Sequence, residues 1–283
     1  MSKHYLQFVK KLSLLVTPFL ACSVLAISSS RAATFASSEG ELVFTNFSHN
    51  ASETFANADI NTISISKGGN GNVTTTADAD GFLGTLPTSG FNSSSNLATG
   101  VNKDYQGFAV SEASLRGIFD IEENTLFSFD FVANLQMEAS IDNSRGENAQ
   151  AKGQLFFALL DIAQNSILDI FSIEGDLALQ RENDFFGHEQ SDNVTLNYAD
   201  YEFNFSDNQK LAIVSAEGSL QRFFANRTSV ALIGFKSSEV RVSAPEPSTC
   251  IALLFSGGAI GAAIKRKRQN TTLTCLLPKN NDA

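Results

Sequence analysis

Between residues 124 and 138 the chain alternates almost without a break. Phe127, Phe129, Phe131, Ala133, Leu135 and Met137 fall on one side, and Ser128, Asp130, Val132, Asn134, Gln136 and Glu138 on the other. A period of two over this length predicts a long strand with one buried face. Val194, Leu196 and Tyr198 alternate in the same way, and Tyr201, Phe203 and Phe205 resume in the opposite phase, which predicts a β-bulge near Ala199 and Asp200. Tyr198 and Tyr201 are read as core positions of that strand. Ser206, Asp207, Asn208 and Gln209 form a turn signal, after which Leu211 and Ile213 open the return strand.

Shorter signals predict strands over 42–47, 60–66, 106–112, 154–162, 172–180 and 229–242, while 165–171 is open between a strand and a helical turn. The stretch 66–104, dense in Gly, Asn, Ser and Thr, reads as a long loop or a loosely paired insertion. Many strands separated by polar turns predict an all-β fold, an antiparallel β-sandwich of jelly-roll-like kind. With 24 Phe and no Trp, its core is expected to be built from phenylalanine.

Both ends carry a different pattern. Lys3, Lys10 and Lys11 precede an apolar run over 12–27, and Ser30 and Ala32 stand at the positions a signal peptidase reads, so 1–32 is expected to be a secretory signal peptide. Near the other end, 249–264 is an apolar run of 16 residues closed by Lys265, Arg266, Lys267 and Arg268. As a helix it would span about 24 Å, short of the about 30 Å of a bilayer core. The basic cluster is expected to hold that end in the cytoplasm while the remainder is exported. The organisation expected is therefore a signal peptide (1–32), a β-sandwich (33–243), a C-terminal segment with one transmembrane-type helix (244–268) and a short tail (269–283).

Directly before the apolar run stand Pro245, Glu246, Pro247 and Ser248. The two prolines disfavour regular pairing and keep this strip extended. The Pro-Glu-Pro-Ser strip, the Gly/Ala-rich apolar run and the basic cluster together resemble a PEP-CTERM sorting signal. The resemblance implies a substrate of an exosortase-type protease in a bacterium that makes exopolysaccharide. It further implies passage through the inner membrane before processing and delivery to the cell envelope, outer surface or extracellular matrix. On that resemblance, Pro245, Glu246, Pro247 and Ser248 are the recognition strip, and Lys265, Arg266, Lys267 and Arg268 the retention cluster.

Charge and cysteine usage narrow the function classes. Residues 33–243 carry 11 basic and 28 acidic side chains, a formal charge of -17. No basic face is available to displace counterions from phosphates, so nucleic acid is not an expected partner. Cys22, Cys250 and Cys275 all lie in the end segments, which leaves the sandwich without disulfides or thiolate ligands.

Catalytic patterns are sparse. His49 and His188 are far apart in the sequence and read as solvated loop residues, and neither a zinc-protease nor a serine-hydrolase motif is present. Carboxylate pairs such as Glu122 with Glu123 or Asp78 with Asp80 occur by composition alone. Asp78-Ala79-Asp80-Gly81 opens like a calcium loop, lacks the later ligands, and reads as an Asp-rich turn. The expectation is an exported, structural, non-enzymatic protein without cofactor or metal. The alternatives are a carbohydrate-binding module of the exopolysaccharide matrix and a polysaccharide-active hydrolase using two carboxylates.

Overall fold

The structure is a computed structural model that describes residues 33–67, 70–142, 146–179 and 184–244. Twelve strands occur among them, and no helix: β1 (Ala33–Thr45), β2 (Glu53–Ser66), β3 (Asn72–Thr85), β4 (Thr88–Val101), β5 (Tyr105–Ile121), β6 (Thr125–Ser140), β7 (Asn148–Asp161), β8 (Ser166–Ala178), β9 (Phe185–Gln190), β10 (Val194–Phe205), β11 (Gln209–Phe224) and β12 (Thr228–Ala244). The first sheet has the order β10-β11-β6-β1-β4-β3 and the second β2-β5-β12-β7-β8-β9. Neighbouring strands are antiparallel throughout. The sheets lie face to face, with β4 over β5 and β12, β1 over β12 and β7, and β6 over β7. The expected all-β sandwich of two antiparallel sheets is therefore present.

The alternation that announces β6 becomes the centre of the core. Phe127, Phe129, Phe131, Ala133, Leu135 and Met137 all point between the sheets and are buried. Phe157 of β7 rises from the second sheet into this row, with ring centroids 5.0 Å from Phe131, 5.3 Å from Phe129, 5.5 Å from Phe171 and 5.8 Å from Phe44. Most of these contacts are edge-on, the arrangement that aromatic quadrupoles favour. Phe47, Phe119 and Phe127 extend the cluster toward one end of the sandwich.

Several sequence readings are revised or decided. Residues 72–101 form the paired strands β3 and β4 rather than a loop. The inner face of β4 consists of Thr88, Gly90, Asn92, Ser94, Asn96, Ala98 and Gly100, so it buries one side without an apolar period. Asp78 and Asp80 accordingly sit on strand β3 and not on a turn. Residues 166–171 belong to strand β8, with no helical turn. The register shift of β10 is present but falls between Leu196 and Tyr198, slightly before the expected position.

Against β4 the second sheet places Lys236, fully buried on the inner face of β12. Its Nζ donates to Ser238 Oγ at 2.6 Å and to the Ser237 carbonyl at 2.9 Å. Ser94 Oγ and Ser38 Oγ lie 2.9 and 3.2 Å from Ser238 Oγ, and Asn96 Nδ2 donates to the Ser238 carbonyl at 2.5 Å. A polar seam thus joins the sheets beside the phenylalanine cluster. Gly40 of β1 makes room for it, since a Cβ there would collide with Lys236 Cε and come within 2.7 Å of the Asn134 carbonyl.

Burial drives the Lys236 amine down to about 7, with the negative charge of Glu39 pulling weakly the other way. The unfolded chain keeps this proton up to about 10.5. Between those values the unfolded state binds more protons, so stability rises with pH; below about pH 7 both states are protonated and the contribution is flat.

Two outcomes are expected. In parallel denaturant titrations, the difference in unfolding free energy between wild type and Lys236→Met should grow by on the order of 3 kcal/mol from about pH 7 to about pH 9.5, favouring wild type at the higher pH. An unchanged difference would show that the amine is not deprotonated in the fold. Phe157→Ala should cost about 3–5 kcal/mol by the same measurement, because no neighbouring ring can fill the space without leaving its own contacts.

Candidate functional site

The expected sorting strip, Pro245, Glu246, Pro247 and Ser248, and the basic cluster Lys265, Arg266, Lys267 and Arg268 lie outside the described residues, as does 1–32. The described chain reaches the strip's edge. Ala244, the last residue of β12, is buried, pairs with Tyr105, and accepts a hydrogen bond from the Asp104 amide at 2.6 Å. Tyr105 closes this end of the core. Its hydroxyl lies 2.6 Å from Thr34 Oγ1, and burial pushes it up to about 12.

The second sheet carries a hollow of about 250 Å3 on its outer face, lined by β7, β8, β9 and β12. Antiparallel register builds it from two adjacent cross-strand rows. One row is Ser237, Gln154, Glu174 and Gly187; the other is Glu239, Lys152, Asp176 and Phe185. Residues directly opposite on such strands share a face and lie within side-chain reach.

The second row is tied to itself and its surroundings. Asp176 accepts from Gln150 Nε2 at 2.7 Å and pairs with Lys152 Nζ at 3.0 Å, while Glu239 pairs with Arg241 Nε at 2.8 Å. In the first row, Gln154 and Glu174 have no side-chain partner among the described residues. Gly187 has a specific part in this arrangement. A Cβ there would stand 2.9 Å from Cζ of Phe185, so the ring leans over the glycine and forms a wall of the hollow, 51% exposed. The site therefore combines an exposed aromatic ring, amide and carboxylate groups with no protein partner among the described residues, and a Lys152–Asp176 pair.

The alternate residues of β9 serve the opposite side. Phe186 and His188 face the first sheet, where β10 presents Tyr201, Phe203 and Phe205 from its own inward phase. Phe186 lies 6.0 Å from Tyr201 and 5.3 Å from Phe203, and His188 lies 6.1 Å from Tyr201. Tyr198 and Tyr201, read from sequence as core, are exposed: the bulge turns Tyr198 to the outer face opposite Glu217, and Tyr201, on the inward phase opposite Val214, lies on edge strand β10, which β9 with its six residues covers only in part. His188 is a strand residue and not a loop residue, whereas His49 does lie in the β1–β2 loop, its Nδ1 2.8 Å from Ser48 Oγ.

Asp169 holds this edge in place. Its carboxylate, almost fully buried, accepts from Ser191 Oγ at 3.0 Å, Asn193 Nδ2 at 2.9 Å and Arg222 Nη1 at 3.0 Å, which fastens the β9–β10 connection to β8 and β11. The carboxylates singled out from sequence are elsewhere. Glu122 and Glu123 follow β5 at its end, where Glu122 meets Arg227 at 3.5 Å, and Asp80 accepts from the Gly81 amide at 2.8 Å. No cluster of three or more metal-ligating side chains occurs among the described residues.

Asp169→Ala leaves three donors facing a void and should destabilise the protein by about 3 kcal/mol, read as a lowered denaturation midpoint. Hydrogen exchange should also quicken in 185–205 more than in β6, since the anchor is lost there and the phenylalanine core is untouched. Comparison with family models, curated proteins and solved structures finds no match to this chain.

Proposed function

We propose that this protein is exported, sorted by an exosortase-type protease through the strip Pro245, Glu246, Pro247 and Ser248, and retained as a structural, non-enzymatic component of the cell envelope or extracellular polysaccharide matrix. In this reading, 1–32 is a cleaved signal peptide, 249–264 is a single membrane-stopping helix, and Lys265, Arg266, Lys267 and Arg268 fix its cytoplasmic end. The jelly-roll-like sandwich is the delivered cargo.

The ordered sequence of Pro-Glu-Pro-Ser strip, apolar run and basic cluster behind a signal-type N-terminus carries the proposal. Strand β12 is compatible with it. It is paired with β5 through Ala244, so a cut after Ala244 leaves every described strand of the sandwich intact. The surplus of carboxylates over basic side chains suits a protein kept soluble outside the cell.

Intact mass and C-terminal peptide mapping of protein from envelope and culture medium test this. The expected product begins near Ala33 and ends between Ala244 and Thr249. The double substitution Pro245→Ala and Pro247→Ala should leave export intact and abolish the C-terminal cut. Wild-type protein still carrying Lys265 to Ala283, or a double variant cut as before, would overturn the assignment.

A further inference from the structure

We infer that the outer face of the second sheet is a saccharide-binding site, in which a pyranose ring stacks on Phe185 and its hydroxyls bond to Gln154 and Glu174, and that it accepts neutral or amino sugars while rejecting uronic acids. The nature of the polymer supplied in vivo rests on the matrix reading above; the site itself rests on its own geometry.

Three observations meet in one place. The first is a half-exposed aromatic ring, Phe185, whose Cζ end reaches over Gly187 into space that a side chain there would occupy. The axial C–H faces of a pyranose are apolar, and an aromatic ring exposed at the wall of a hollow offers them a partner that bulk water does not. The second is the side-chain row beside it. Glu174 as a carboxylate can only accept, and Gln154 can both donate and accept, which together suit the hydroxyls of a sugar. With Lys152, Asp176 and Glu239 already bonded, the groups left to a ligand are those of the first row. The third is size: about 250 Å3 is the scale of a single sugar ring and lies below the roughly 300–1,000 Å3 of pockets that enclose drug-sized ligands.

Charge sets the sugar class. Glu174, Asp176 and Glu239 line the hollow against Lys152, whose ammonium is held by Asp176. A uronate carboxylate placed over the row would meet Glu174 without a free cation to receive it, whereas a hydroxyl or a protonated amino group finds acceptors. The hollow is open and shallow, so a single ring binds weakly and a repeated polymer binds through many copies of the protein.

The test is binding of the full chain, purified in mild detergent, to immobilised hexasaccharides. The probes are β-1,3- and β-1,4-glucan, α-1,4-glucan, galactan, mannan, chitosan and polygalacturonate. The expected result is binding to at least one neutral or amino-sugar probe and none to polygalacturonate, with affinity reduced about tenfold in Phe185→Ala and in Gln154→Ala/Glu174→Ala. Gly187→Ala should also weaken binding, because it lifts the ring while leaving Phe185 in the sequence. Phe82→Ala, which removes an exposed ring on the other sheet, should leave binding unchanged. Thermal melting of every variant separates lost binding from lost folding.

Absence of binding to all probes, a preference for polygalacturonate, or full affinity in folded Phe185→Ala would overturn the site. Sugar binding that persists when the C-terminal cut does not occur removes the sorting reading alone, and a correct cut without sugar binding removes this site alone.

Discussion

Phe157 stands where the two sheets meet, its ring in contact with Phe44, Phe129 and Phe131 from the first sheet and Phe171 from the second. The chain has no disulfide within 33–243 to close its loops, so the free energy that keeps twelve strands in two layers must come from apolar surface removed from water between them. Long strands follow from this requirement. β5, β6, β11 and β12 each run 16 or 17 residues, so one alternating face spans the whole core.

Beside that cluster the sandwich is not apolar. Lys236, Ser238, Ser38, Ser94 and Asn96 meet across β12, β1 and β4, and the lysine is accommodated with hydrogen-bond acceptors around an amine that burial brings down to about 7. Such a seam contributes less by burial than phenylalanine would. It does restrict how the two sheets can slide, because a shift in register would leave buried donors and acceptors without partners. The small inner face of β4 and the glycine at position 40 are the local conditions that make room for the long side chain of Lys236 between the layers.

At the far edge, six residues of β9 divide their side chains between two surfaces. Phe185 and Gly187 complete the hollow on the outer face, while Phe186 and His188 turn toward the aromatic residues of β10. The edge is exposed yet ordered, because Asp169 ties its connection back to β8 and β11. A binding surface on an edge strand is positioned only as well as that strand is held, and here a buried carboxylate with three donors holds it.

The strands with an apolar phase, above all β6, were legible from the sequence because a buried face on a pleated backbone imposes a period of two whatever it packs against. β4 was not legible, since Ser94 and Asn96 bury polar groups whose partners come from β12, more than a hundred residues away, and Asn92 turns to the Ala113 carbonyl of β5. Tyr198 and Tyr201 carried the same apolar signal as β6, but the pattern does not reveal that the bulge turns Tyr198 outward or that the strand opposite Tyr201 stops short. The hollow was hidden for a related reason. Gln154 and Glu174 appear in the sequence as ordinary solvent-facing positions of two strands, and only strand order and register bring them beside each other and beside Phe185. Local pattern by itself determined which segments with an apolar period of two extend; the pairing of distant strands decided which polar groups share a neighbourhood, because hydrogen-bond register is set between chain segments and is not written within any one of them.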